Sequence, residues 1–459
     1  MMLTLAASKN FEVQCQDVTR AFLQTEDIVR DVFVIPPVEA GLPKGKCWKL
    51  IKPCYGLLDA SRSWYLSHAK GLKELGFKAI SVDPGTFVKR DKNGTTEAVL
   101  GIHVDDSITV GKSSIINETH AEMKKKFKYG TNESLPSTYL GIHMTREGKD
   151  IVLDQDHYIS DVEIPNSTTV ARMKKNETLP EKEQSLFRSL ASKLNMLSLT
   201  SRPDYSYRAK ELTTKYGHAT KSDFTQAVKL LKQAKLESTR YVIPDIGKEE
   251  DWILLGVTDA SNKSSGSLFP VGGFVILLVN KITNAASILF WSSKKIDRIA
   301  ASSFHAETLS MSSLIKNMYF VRRLGCEIIG SSFEKVPGLI LIDNQDLFSC
   351  VHNLKSCEDK RLLMEIIAIR QAIYLDKTVS EVRYVESSQM IADCLTKSSK
   401  AGEDLLAVIR QGSYIIPGGN KVRDSTLTAV KTWRQLVEAE KQSEDEDETN
   451  AIMKVNERL

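Results

Sequence analysis

No C-x-x-C pair occurs among the seven cysteines, Cys15, Cys47, Cys54, Cys326, Cys350, Cys357 and Cys394. An odd number without close pairs argues against a zinc site or a disulfide framework and for reduced thiols in an intracellular protein. Long hydrophobic runs are missing too. The longest, 273–279 (GFVILLV), is too short to span a bilayer and reads as a buried strand, so no membrane partner is expected. The opening MMLTLAASKN reaches Lys9 and Glu12 too soon for a signal peptide. Charge of one sign is scarce: 62 Lys+Arg against 58 Asp+Glu leaves a net charge of only +4. Any basic groove must therefore come from local clustering. There is no internal repeat.

What is present is ordinary globular material, 42% hydrophobic and 26% charged, in a chain of 459 residues. That length suggests about two to four domains. Residues 11–18 (FEVQCQDV) alternate like a strand, with Phe11, Val13 and Cys15 on one face and Asp17 as the odd carboxylate among them. Residues 60–75 read as an amphipathic helix with Trp64, Leu72 and Leu75 inward. A hairpin turns through Asn93-Gly94 into a strand over 98–104. Another strand over 107–110 leaves Asp105-Asp106 at a tight turn. A helix over 116–127 and a hairpin pairing 139–145 with 151–153 follow. The polar stretch 162–182, with Pro165 and Pro180, reads as a linker. Helices are expected over 184–199 and 224–236, separated by Arg202-Pro203-Asp204. From Trp252 the order changes: strands over 252–258, 271–279 and 287–291, a long helix over 303–324, a strand over 339–342, a helix over 359–373, a strand over 382–385 and a short helix over 390–396. Beyond about residue 400 the apolar pattern thins, and the acidic run 442–450 reads as solvated and disordered.

The carboxylates carry the chemistry. Two adjacent aspartates at a hairpin tip repel one another unless a cation lies between them and a third carboxylate. Hard divalent cations want such oxygens, and nucleotidyl transfer uses two of them. Asp105-Asp106 taken alone reads equally as a turn. Asp17 in an apolar strand is harder to dismiss, because burying an unpaired carboxylate is costly.

Residues 17–23 (DVTRAFL), 52–57 (KPCYGL) with 61–65 (SRSWY), 103–106 (HVDD) and 139–142 (YLGI) resemble, in order, the palm motifs of copia-type retrotransposon reverse transcriptases. The resemblance implies that Asp17, Asp105 and Asp106 hold metal. It also implies that Phe22 forms a steric gate against a ribose 2′-hydroxyl, and that Tyr55 and Gly56 lie in the substrate-binding tyrosine-glycine-leucine motif. Phe22 reads on its own as a core phenylalanine. His103 stands where the family has tyrosine, Leu58-Asp59 where it has lysine-glutamine, and Ser61 where it has proline. Only sixteen residues precede Asp17, so the basic fingers segment of the family is expected to be missing and the polymerase half impaired.

The second half resembles the ribonuclease H domain of the same polyproteins. Asp259 in 256–261 (GVTDAS), Glu307 in 304–308 (FHAET), Asp343 in 341–344 (LIDN) and Asp393 in 391–397 (IADCLTK) fall on the elements that carry that family's four carboxylates. Each could separately cap a turn or helix. No histidine lies between Val385 and Asp393, so no histidine base is assigned, and His305 reads as a packing or surface residue. Residues 187–190 (FRSL) and 201–204 (SRPD) resemble the connector. Residues 291–295 (WSSKK), Lys294 above all, are expected to grip a hybrid duplex, whereas Lys124-Lys125-Lys126 read as well as a solvated helix face.

The resemblance, over residues 5–400, implies an α+β and α/β multidomain chain. It would comprise a reverse transcriptase palm of antiparallel sheet and helices (1–165), a helical connector (166–248), an α/β ribonuclease H-like domain (249–400) and a tail (401–459). It implies an RNA-directed DNA polymerase with ribonuclease H activity, taking two Mg²⁺ or Mn²⁺ ions per active site. The implied partners are an RNA template, a DNA primer, an RNA–DNA hybrid, deoxynucleoside triphosphates and other parts of a polyprotein. The rival expectation is a catalytically silent relic or co-opted nucleic-acid-binding protein.

Overall fold

The structure is a computed structural model in which residues 1–43, 45–261, 269–352, 359–398 and 401–418 are described. The chain divides into two compact units. One holds Met1–Tyr158, Val242–Asp245 and Arg322–Lys335; the other holds Ile159–Tyr241, Ile246–Val321 and the described residues from Val336 onward. Cys357 and the acidic run 442–450 lie outside the described residues.

In the first unit the order is α1 (Met2–Lys9), β1 (Glu12–Val18), β2 (Phe33–Val34), β3 (Trp48–Lys49), α2 (Ala60–Glu74), β4 (Lys78–Ala79), β5 (Thr86–Arg90), β6 (Thr96–His103), β7 (Asp106–Gly111), α3 (Ser113–Lys126) and β8 (Tyr129–Ser134), then β9 (Ser137–Tyr139), β10 (Ile142–Glu147) and β11 (Asp150–Asp154). Six strands form a sheet in the order β4-β5-β6-β7-β1-β8, antiparallel throughout. β1 is buried on both faces rather than alternating, with Val13, Gln14, Cys15 and Gln16 all buried, and Val18, on the face opposite Asp17, joins a core with Trp64, Leu72, Phe87, Leu100 and Met123 from α2, β5, β6 and α3. Phe22 belongs to that core.

The second unit opens with α4 (Asp156–Ser160), which begins at the boundary, then α5 (Thr168–Arg172), α6 (Glu181–Thr200), α7 (Ser206–Thr213) and α8 (Lys221–Leu236). After the short strand β12 (Tyr241–Ile243), whose Val242 and Ile243 belong to the first unit, come β13 (Trp252–Ser261), β14 (Val271–Asn280), β15 (Ala286–Lys295), α9 (Ser303–Ile328), which passes into the first unit at Arg322, β16 (Gly338–Ile342), α10 (Gln345–His352), α11 (Lys360–Tyr374), β17 (Glu381–Tyr384) and α12 (Ala401–Gln411). The five-stranded sheet runs β15-β14-β13-β16-β17, antiparallel among its first three strands and parallel from β13 through β16 to β17. β13, β14 and β16 are buried almost end to end, as expected of strands covered on both faces.

Several expectations need correction. Tyr139–Thr145 is not one strand: Tyr139 ends β9, and Leu140 and Gly141 turn the chain with φ of 49° and 77° before β10 begins. The stretch 162–182 is not bare linker, because the Ser167 side chain accepts from the Val170 N–H and caps α5, and Val170 and Leu179 join the helical core. The expected helix over 390–396 is a tighter 3₁₀ turn, Ile391–Leu395. Sequence reading missed α1, α7, α10 and α12. In α12 the buried Leu405, Val408 and Ile409 stand at helical spacing, a signal that was available.

Candidate active sites

The first carboxylate set forms where β1 meets the β6–β7 hairpin. His103 pairs with Asp106, so Val104 and Asp105 are the two-residue tip. Val104 has φ 55°, an unfavourable conformation for a β-branched residue. The fully buried Trp64 donates its indole N–H to the Val104 carbonyl at 2.5 Å, and Val18 N–H donates to the Asp105 carbonyl at 3.0 Å. Asp17 lies opposite Asp106 across the ladder. Burial, then the nearby Asp105, raises the Asp17 carboxyl above its ordinary range; burial, Asp105 and Asp17 do the same to Asp106. On the other side of β1 the register with β8 slips between Gln16 and Val18. Gly130 falls in that irregularity: a Cβ there would stand 2.7 Å from Asp17 Oδ2. Glycine thus leaves this carboxylate uncovered.

Phe22 is buried and its ring centroid lies 4.7 Å from that of the exposed Tyr55, so two of the expected substrate residues are neighbours. Gly56 beside them has φ 97°. Asp59 is not a bare negative charge, because Arg30 grips both its oxygens at 3.0 Å. Lys125 and Lys126 pair with Glu122 and Glu74 on an exposed helix face.

The second set is tighter. β13 runs past the end of its parallel partner β16, so Asp259 projects near Asp343, the residue following β16. The crevice at the carboxyl ends of parallel strands is a common place for sites. α9 lies on β13 along one face: Glu307, Ser310, Leu314 and Met318 recur at helical spacing. A Cβ on Gly256 would come within 2.8 Å of Met318 Sδ and 2.9 Å of Leu314, so a larger residue would push these side chains aside. Ser310 Oγ donates to the Asp259 carbonyl at 3.1 Å, and the Ala260 N–H donates to Glu307 Oε1 at 3.1 Å. One oxygen each from Asp259, Glu307 and Asp343 lie within 4.8 Å of one another. Among the described residues no other trio of acidic, histidine or cysteine side chains is as compact.

Asp393 approaches on the 3₁₀ turn. Its neighbours add three contacts that sequence reasoning did not assign. Thr396 Oγ1 donates to Asp259 Oδ2, Lys397 Nζ lies 2.8 Å from Asp393 Oδ1, and Ser387 Oγ donates to Asp343 Oδ2 at 2.7 Å. The i, i+4 spacing of Asp393 and Lys397 was a usable signal for the second of these. His305 is a packing residue, 8% exposed. Lys294 is exposed, pairs with Gly272, and so stands at the same end of the sheet as Asp259, which pairs with Gly273. Trp291 donates its indole N–H to the Ser198 carbonyl at 3.0 Å, which ties β15 to α6.

Burial pushes the Asp259 carboxyl up to about 6, against the Thr396 hydrogen bond and Lys397. Burial, then Asp259 and Asp343, push Glu307 up to about 9. Glu307 Oε2 is buried with no hydrogen-bond partner. An all-oxygen, charge-repelling, partly unpartnered set of this kind fits hard divalent cations.

Residues 1–176 match the reverse transcriptase (RNA-dependent DNA polymerase) family. The chain is 24% identical over 414 residues to the retrovirus-related Pol polyprotein from transposon RE1 of Arabidopsis thaliana, covering 86% of this chain and 27% of that protein. To the corresponding polyprotein from transposon TNT 1-94 of Nicotiana tabacum it is 25% identical over 427 residues, with 86% and 30% covered. It therefore spans less than a third of the length of these relatives. Among solved structures, the foamy viral protease-reverse transcriptase in complex with RNA/DNA hybrid aligns with 82% of this chain and 44% of its own at 12% identity, with a TM-score of 0.45. RNase H1 from Halobacterium salinarum aligns with 33% of this chain and 98% of its own at 15% identity, with a TM-score of 0.23. The chain is thus similar over most of its length to the retrovirus-related Pol polyproteins of transposons, and its first 176 residues match the reverse transcriptase family. No described helix is long and apolar enough to cross a membrane.

Proposed function

We propose that the second unit is a metal-dependent nuclease for the RNA strand of an RNA–DNA hybrid, and that the first is the palm of an RNA-directed DNA polymerase. The observation that carries the reading is the meeting of Asp259, Glu307 and Asp343, from a strand, its covering helix and the end of a neighbouring strand. Asp393 completes the set from the fourth element. The proposed boundaries are palm 1–165, connector 166–248, ribonuclease H-like domain 249–400 and tail 401–459.

In the nuclease, Asp259, Glu307, Asp343 and Asp393 would hold Mg²⁺ or Mn²⁺. Such ions, when bound, activate water and stabilise the leaving 3′-oxygen in phosphodiester cleavage. Thr396 and Ser387 orient the Asp259 and Asp343 carboxylates, and Lys397 offsets negative charge beside Asp393. Lys294 contacts the duplex backbone, where shape and 2′-hydroxyls identify a hybrid. In the palm, Asp17, Asp105 and Asp106 would hold the same kind of ion. Phe22, against Tyr55 and beside Gly56, limits the sugar of an incoming deoxynucleoside triphosphate. The partners proposed are RNA template, DNA primer, their hybrid and the rest of a polyprotein.

The test is cleavage of labelled RNA in a hybrid by the whole chain with Mg²⁺, beside Asp259→Asn. Primer extension on an RNA template beside Asp105→Asn tests the palm. Cleavage lost in Asp259→Asn and kept in Asp105→Asn is the expected pattern. Wild type no better than Asp259→Asn would end the nuclease reading.

A further inference from the structure

The connector holds a buried ion cage. The Arg202 side chain is fully buried and donates to Asp204 through Nε at 2.8 Å and Nη2 at 2.7 Å, while Nη2 also reaches Glu237 at 2.5 Å. The Tyr205 hydroxyl donates to Glu237 at 2.8 Å, and Arg202 and Arg208 lie 4.0 Å and 4.6 Å from the Tyr205 ring centroid. Arg208 and Glu237 are further fixed through Gln233, at 2.9 Å and 2.7 Å. Burial opposes the charge on Arg202, but the Asp204 and Glu237 hydrogen bonds outweigh it and keep the guanidinium ionised.

A buried ion pair is a poor source of stability compared with apolar packing, and its best-attested use is to fix one arrangement. The arrangement here concerns the 3₁₀ turn Ile391–Leu395. A single such turn has too few hydrogen bonds to hold itself and depends on what it packs against. One side rests on the sheet: a Cβ on Gly273 of β14 would meet Leu395 Cβ at 2.6 Å and Thr396 Cγ2 at 2.7 Å. The other side rests on the cage. The short turn Pro203–Tyr205, which carries Asp204, lies beside Ile391–Leu395, and both Cys394 and Asp204 flank Gly402 of α12. A pocket of about 330 Å³ is lined jointly by Asp204, Arg208 and Glu237 of the connector and by Cys394 and Lys397.

We infer that the Arg202–Asp204–Glu237 cage is a positioning element of the nuclease site: it braces the turn that carries Asp393, Thr396 and Lys397, so that the connector and the ribonuclease H-like sheet work as one unit. The inference rests on the nuclease reading for its consequence in catalysis, but its structural half stands apart from it. Asp204 is a positioning residue and touches no substrate.

The test uses the whole chain with Asp204→Asn, Cys394→Ala (which leaves the cage intact) and Arg298→Met. The last breaks the Arg298–Glu365 pair, which takes no part in the cage. Amide hydrogen exchange is followed over 391–397 and over β13. Asp204→Asn and Cys394→Ala are expected to speed exchange over 391–397 by about tenfold or more, with β13 unchanged. Arg298→Met should leave both unchanged. On hybrid, the two variants should lower kcat by about tenfold with KM held, since a misplaced group costs rate rather than binding. Unchanged exchange over 391–397 in Asp204→Asn, whatever Cys394→Ala does, or equal acceleration over β13, would overturn the brace. If wild type does not cleave hybrid, the nuclease reading fails while the exchange result still judges the brace.

Discussion

At Gly130 a missing side chain leaves room for the Asp17 carboxylate, since a Cβ there would stand 2.7 Å from its Oδ2. Gly130→Val should cover that carboxylate and abolish primer extension, while RNA cleavage by the second unit continues; parallel assays of one preparation would show it. His68 gives a second prediction. Burial beside Trp64 and Phe127 lowers it from the ordinary 6.5 to about 4. The folded state therefore keeps the ring neutral while the unfolded chain takes up a proton between those values. This contribution is complete above about pH 6.5 and is lost as the pH falls towards 4, by roughly 3 kcal/mol in all. Chemical denaturation at pH 7 and pH 4.5 should reveal that slope, and His68→Phe should flatten it. Individual residues were unevenly legible in the sequence. Asp259, Glu307, Asp343 and Asp393 stood out because, taken in order, they match the carboxylates that the ribonuclease H resemblance implies, whereas each alone reads equally as a cap. Thr396 and Ser387 did not, because a hydroxyl follows no periodic pattern and its partner lies far away in sequence.

Strands and long helices were readable because burial on one or both faces writes a period into them. The short pieces were not. α7 follows Arg202-Pro203-Asp204, which reads as a loop, yet Arg202 and Asp204 form the ion cage with Glu237. The turn carrying Asp393 was expected as a helix, and its tighter form depends on the close approach to Gly273, which no local pattern encodes. Gly273→Val should force Leu395 and Thr396 away from the sheet. A cost of about 1–3 kcal/mol in stability is expected, as for other overpacked interiors. Cleavage should fall much further than that loss implies, because Thr396 and Asp393 move together. Denaturation midpoints and single-turnover rates on the same variant would separate the two effects.

For the molecule as a whole, the two carboxylate sets make different demands on a cation. The second is buried, mutually repelling and lacks a partner at Glu307 Oε2, so a divalent ion should stabilise the unit that holds it. At an ion concentration about 100 times Kd the gain is about 2.7 kcal/mol. Thermal unfolding with and without Mn²⁺ should register it in wild type and lose most of it in Glu307→Gln. On the proposed reading, Asp259, Glu307, Asp343 and Asp393 together cut the RNA of a hybrid. The most direct measurement is the cleavage rate of a labelled RNA–DNA hybrid by the whole chain in Mg²⁺, with Asp259→Asn and an all-DNA duplex alongside. Cleavage of the RNA strand alone is expected, reduced roughly a hundredfold or more in Asp259→Asn. Equal rates for wild type and Asp259→Asn, or cleavage that persists in EDTA, would contradict it.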